Sequence, residues 1–259
     1  MSQPVFEWQV IASGRRGPGP RSRHGLVHDA GRRTTILFGG IIWKGDGQLL
    51  DDTWELRSGY WIPEESGPKP QARHRGAMIF DSRRGCAVLF GGQGRTGAFL
   101  GDTWTYEDGR WRRKRRWWSK GPSPRCGHAM AFDASTGETV LFGGVNVRRN
   151  SVRDTWVWNG DGWQEVRGPR PPARRYAAFA YDPGSKGCVL HGGAVDDQGR
   201  ERFGDTWLFR NGEWSRCPAD FDTDPRDDHA LAYHRAAKQL VLLEGLSGAG
   251  CLIGGSATG

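Results

Sequence analysis

The sequence lacks most of what would mark a membrane, secreted or cofactor-dependent protein. Its 259 residues contain no run of 18 apolar residues, so no membrane-spanning helix is expected. The opening MSQPVFEWQV has no basic stretch followed by an apolar one, so no signal peptide is expected. Only five cysteines occur (Cys86, Cys126, Cys188, Cys217 and Cys251), an odd, scattered set without C-x-x-C spacing. Free thiols in a reducing cytoplasm fit that pattern. A phosphate loop, a dinucleotide-binding glycine motif and a Ser-His-Asp spacing are also missing. No cofactor is expected, and a binding protein is favoured over an enzyme.

What is present is glycine (40), tryptophan (13) and positive charge, a net +8. Many turns with large aromatic anchors point to many short strands. The charge favours anionic partners without selecting among them.

The strands come in repeats. An apolar run ends in Gly-Gly at ILFGG (36–40), VLFGG (88–92), VLFGG (140–144) and VLHGG (189–193), with a degraded copy at LLEG (242–245). The last glycines, Gly40, Gly92, Gly144, Gly193 and Gly245, are 52, 52, 49 and 52 residues apart. Asp-Thr-Trp follows at 52–54, 102–104, 154–156 and 205–207, then a later tryptophan at Trp61, Trp111, Trp163 and Trp214. An arginine opens each unit: Arg21, Arg73, Arg125, Arg174 and Arg226. Four strand-like segments per repeat, with an aromatic anchor in each outer strand, predict a β-propeller blade whose faces are buried only by its neighbours. The units run about 21–62, 73–113, 125–166, 174–216, and 226–255 together with 5–11.

These residues resemble the Kelch repeat: a diglycine after an apolar strand, then a spaced aromatic and a tryptophan. The resemblance covers about residues 5–250. It departs at the third strand, where Trp replaces the usual Tyr, and in the fifth unit, which has neither DTW nor the final tryptophan. The expectation is an all-β, five-bladed propeller of four-stranded Kelch-type blades, its last blade incomplete and closed by an N-terminal strand. FEWQVI (6–11) supplies that strand: Trp8 precedes Arg21 by 13 residues, against 11 to 14 between each later tryptophan and its next arginine. Cys251–Gly255 is a possible stand-in for the missing third strand.

Placed on a propeller, the second-to-third-strand loops and the inter-blade segments share one face, and rigid scaffolds usually bind through such loops. The five opening arginines lie near the channel mouth on that face, with Lys44, Arg95, Arg148, Arg149, Arg153, Arg200 and Arg202 around them. The segment Trp111–Trp118 joins the second and third blades and contributes Arg112, Arg113, Lys114, Arg115, Arg116, Trp117 and Trp118. Interleaved Arg and Trp can hold phosphate and stack on bases, although no nucleic-acid motif is present. Trp43, Trp117, Trp118 and Trp158 fall outside the repeat; of these, Trp43, Trp117 and Trp118 are expected in loops of that face and are the better candidates for binding. The Kelch resemblance gives the repeated arginines a structural alternative, hydrogen bonding between blades.

His24, His128 and His229 stand three residues after their arginines and are candidate metal ligands, with Cys126, Asp227 or Asp228 nearby. The resemblance makes His ordinary there, and structural hydrogen bonding is the competing reading. The leading expectation is a monomeric, non-catalytic scaffold for an acidic protein or other anionic ligand. A channel-mouth metal site or enzyme, and nucleic-acid binding through 111–118, are the alternatives.

Overall fold

The protein is described by a computed structural model covering residues 17–114, 121–196, 198, 200–243 and 245–247. The chain builds one antiparallel sheet after another. The first contains β1 (Gly25–Asp29), β2 (Thr34–Phe38), β3 (Thr53–Arg57) and β4 (Tyr60–Glu64), paired in sequence order. The second contains β5 (Ala77–Asp81), β6 (Cys86–Gly94), β7 (Phe99–Glu107) and β8 (Arg110–Lys114). The third contains β9 (Ala129–Asp133), β10 (Glu138–Phe142), β11 (Thr155–Trp158) and β12 (Trp163–Val166). The fourth contains β13 (Ala178–Asp182), β14 (Gly187–His191), β15 (Thr206–Arg210) and β16 (Glu213–Arg216). A fifth unit is represented by the hairpin β17 (Ala230–His234) and β18 (Gln239–Leu243). The first strands of successive units pack against one another, which puts them innermost.

Register is the same in every complete unit. The DTW tryptophan lies opposite a leucine of the second strand: Leu37 with Trp54, Leu89 with Trp104, Leu141 with Trp156 and Leu190 with Trp207. A period-2 strand with one residue slipped would turn these aromatics to the wrong face. No sheet has a core of its own. The buried clusters lie between sheets: Val27, Ile36 and Phe38 pack on Met78, Leu89, Trp104 and Trp111, and the same pattern recurs between the second and third and the third and fourth units.

Two expectations are corrected. Trp158 is inside the repeat: it stands two residues after Trp156, as Tyr106 and Phe209 stand after Trp104 and Trp207, and it is buried against Trp163 with ring centroids 5.6 Å apart. Arg112, Arg113 and Lys114 belong to β8, the outermost strand, rather than to an inter-blade linker at the channel mouth. Pairing with β7 from Thr103–Lys114 to Glu107–Arg110 holds them in the sheet. The proposed N-terminal strand 5–11, the stand-in at Cys251–Gly255 and the residues Arg115, Arg116, Trp117 and Trp118 lie outside the described residues.

Candidate functional site: the channel mouth

The diglycine brings consecutive units together at one end of the sheets. Gly143 and Gly144 have φ of +67° and +96°, and a Cβ on Gly143 would sit 2.5 Å from the Arg174 carbonyl oxygen of the next unit. With no side chain in the way, the Gly144 N–H donates to that oxygen at 2.9 Å. Gly40 and Gly193 donate in the same way to Arg73 and Arg226.

The opening arginines then tie each sheet internally. Arg21, Arg73, Arg125 and Arg174 each donate two hydrogen bonds to the aspartate of their own DTW (Asp52, Asp102, Asp154 and Asp205) at 2.5–2.9 Å. Each also donates to the carbonyl of its own first diglycine residue. The DTW indole N–H donates to the same aspartate at 2.6–2.7 Å. Burial alone would raise these carboxyls. The arginine and indole hydrogen bonds and the arginine charge outweigh it, holding all four below the usual carboxylate range. Arg73, Arg125 and Arg174 are 1–2% exposed. Their charge is neutralised inside the blade, so these copies of the predicted ligand-binding set are structural ties. Arg226 differs because its unit has no DTW; among the described residues its guanidinium makes one hydrogen bond, from Nε to the Asp224 carbonyl.

The later tryptophans join one unit to the one before. Trp111, Trp163 and Trp214 each donate at 2.9 Å to the DTW threonine of the preceding unit, Thr53, Thr103 and Thr155. The histidines also lie between units. His128 meets Phe90 edge-on at 5.4 Å and His229 meets His191 at 5.3 Å. Burial first, then neighbouring charge, pushes His128 and His229 down to about 3, and His74 and His191 down to about 4. His24 is lowered by burial and by Arg21. His24, His128 and His229 do not converge: among the described residues no three His, Cys, Asp or Glu side chains are placed to hold a metal ion.

A column that the sequence reading did not recognise lines the opening. Two residues after each opening arginine stand Arg23, Arg75, Gly127, Tyr176 and Asp228, all with φ between +53° and +60°. Backbone N–H groups run from unit to unit through them: Arg75 to the Arg23 carbonyl at 3.1 Å, Gly127 to Arg75 at 2.9 Å, Tyr176 to Gly127 at 2.8 Å, and Asp228 to Tyr176 at 3.1 Å. The Arg75 guanidinium lies over the Tyr176 ring, 4.8 Å from its centre, so these units face a common centre. The non-glycine residues there cannot be explained by the repeat. The one available sequence signal was Gly127, a glycine in a column of larger residues.

The outer loops divide by charge. Arg200 pairs with Asp196 at 3.0 Å and Arg202 with Asp227 at 2.5 Å. Lys44, Arg95, Arg148, Arg149 and Arg153 have no ion pair among the described residues. Trp43 is 63% exposed, its indole N–H bonded to Ser22 Oγ at 2.9 Å. Arg112, Arg113 and Lys114 are exposed at the outer rim, with Arg112 3.6 Å from Glu107.

Antiparallel four-stranded sheets stacked by their inner strands, locked by diglycine, arginine and tryptophan, define a Kelch-type β-propeller. The KLHDC2/KLHL20/DRC7 Kelch-repeats domain matches residues 57–245, and the chain belongs to the Kelch-repeat family. It is 34% identical over 208 residues to an F-box/kelch-repeat protein of Arabidopsis thaliana, covering 70% of this chain and 41% of that protein. It is 26% identical to the host cell factor homolog hcf-1 of Caenorhabditis elegans, covering 86% of this chain and 30% of the relative. It thus spans less than half the length of these curated relatives. The solved structure of YjhT superposes with a TM-score of 0.71 at 14% identity, over 91% of this chain and 80% of that one, a likeness of fold.

Proposed function

We propose that the protein is a non-catalytic protein-binding scaffold that recognises an acidic partner on the loop face around the channel mouth. Membership of the Kelch family supports a binding scaffold. The observation that carries the acidic partner is the charge left over. Four of the five repeated arginines are consumed by their aspartates, whereas Arg23, Arg75, Arg95, Arg148 and Arg153, like Arg226, make no ion pair among the described residues. Rigid strands carry these cations on loops, the usual arrangement for recognition. Neutralising the outer loops in R95Q/R148Q/R153Q should weaken binding of a fluorescent Glu-rich peptide several-fold and leave the melting temperature unchanged. Unaltered binding in that variant removes the outer loops from the reading.

A second reading, nucleic-acid binding, rests on Arg112, Arg113 and Lys114, exposed along β8 and continuing into Arg115, Arg116, Trp117 and Trp118. It predicts that a single-stranded oligonucleotide binds wild type and is lost in R112Q/R113Q/K114Q; equal binding by both proteins contradicts it.

A further inference from the structure

The fifth unit keeps the inner half of a blade without the strand that covers it. In each complete unit the second strand is paired on both sides, with the first strand and with the DTW strand. Among the described residues β18 is paired on one side only, with β17. The leucines opposite the DTW tryptophans (Leu37, Leu89, Leu141 and Leu190) are at most 6% exposed. Their counterpart Leu242 is only half-buried, as are Leu240 and Val241, and Leu243 is exposed. Arg226 nevertheless holds the pose of the other opening arginines. In all five the Nε donates to the carbonyl two residues back, at Gly19, Gln71, Ser123, Pro172 and Asp224, over 3.0–3.2 Å. In the complete units the two terminal nitrogens then take the DTW aspartate; those of Arg226 meet no carboxylate among the described residues. The first unit is short of a strand on its other side. Trp111, Trp163 and Trp214 each bond the DTW threonine of the unit before them, whereas the matching indole of Trp61 has no hydrogen-bond partner among the described residues.

We propose that the edge of β18 accepts one extended segment of another protein, carrying Asp-x-Trp, which completes the fifth blade by strand addition. The four DTW strands of this chain show what such a segment does here. Its main chain pairs along β18, its tryptophan covers Leu242, and its aspartate takes both arms of Arg226. An uncovered strand edge that carries apolar side chains is a template for pairing with another chain. Arg226 sets which strand fits, because an arginine fork matches a carboxylate two-for-two. Asp-Thr-Trp occurs four times in the sequence, and all four copies are held in their own blades. Residues 246–259 offer no side-chain carboxylate and no indole. This seat lies in the sheet and uses none of the loop cations of the acidic-partner surface, so it goes beyond that reading.

The probe is a fluorescein-labelled peptide with the sequence of residues 151–159, SVRDTWVWN, read by anisotropy on the full chain. Wild type should bind it about tenfold more tightly than the same peptide with asparagine for the aspartate. R226Q should bind the two peptides alike, and its affinity for the asparagine peptide should match that of wild type, which shows an intact fold. R226K keeps the cation without the fork and should retain about threefold discrimination. At saturation, amide exchange in residues 239–243 should slow by more than about tenfold, a change that contact elsewhere does not produce. No binding by wild type, equal binding of both peptides, or unchanged exchange in β18 overturns the proposal. A wild-type dimer that the peptide dissociates in sedimentation assigns the edge to a second copy and overturns the foreign occupant. R95Q/R148Q/R153Q should bind the peptide as wild type does; a loss there places the peptide on the loop face, which overturns strand addition and leaves the acidic-partner reading standing.

Discussion

Asp154 accepts both arms of Arg125 and the Trp156 indole N–H on one carboxylate. Asp154→Ala would leave a guanidinium that is 1% exposed without its counter-charge, and should cost about 3 kcal/mol in urea unfolding. Trp163→Phe removes the bond to Thr103 and part of a buried ring, and should cost at least about 1 kcal/mol. The histidines set an acid limit. In the unfolded chain they take up protons near pH 6.5, whereas His128 and His229 stay neutral in the fold down to about 3, and His74 and His191 down to about 4. Their contribution is complete above pH 6.5 and is lost on acidification toward pH 4, at roughly 1.4 kcal/mol per pH unit for each ring. The DTW carboxylates, held low, add their loss only below about pH 4. Unfolding free energy that stays level between about pH 7 and pH 5 would contradict neutral buried rings.

At the scale of the strand and turn, Gly143→Ala would drive a methyl into the Arg174 carbonyl at a positive-φ position. It should destabilise by more than about 1 kcal/mol, read from the urea midpoint; Gly168→Ala, also at positive φ but with nothing nearby, isolates the backbone strain from the clash. These elements were legible in the sequence because the same contact recurs in each unit: diglycine for close approach, arginine for the aspartate, tryptophan for the preceding threonine. Trp158 was misread because its column varies among Leu56, Tyr106, Trp158 and Phe209 while keeping one packing role. Arg112–Lys114 were misread because a run of charge suggests a loop, whereas an outermost strand leaves its side chains free to be solvated. The channel-mouth column went unrecognised for the opposite reason: Arg23, Arg75, Gly127, Tyr176 and Asp228 share a backbone conformation and no common side chain.

For the whole molecule, the outer faces of the first and fifth units matter most. Leu26 occupies the place from which Met78 and Met130 pack on the preceding unit, and Leu243 the place from which Phe90 and Phe142 pack on the following one. Leu26 is 52% and Leu243 46% exposed among the described residues. Closure of the ring by residues 5–11, proposed from the Trp8–Arg21 spacing, predicts that deleting residues 1–11 lowers the melting temperature by roughly 10 °C; a truncated protein that melts like the intact one would remove that strand from the ring. The central claim concerns the division of charge, with Arg21, Arg73, Arg125 and Arg174 spent on the fold and the unpaired loop arginines left for a partner. It is tested most directly by the salt dependence of Glu-rich peptide binding to the intact protein. Raising the salt from about 50 to about 500 mM should weaken binding by about tenfold, since exposed loop cations are open to screening. Affinity that does not change over that range would contradict the account.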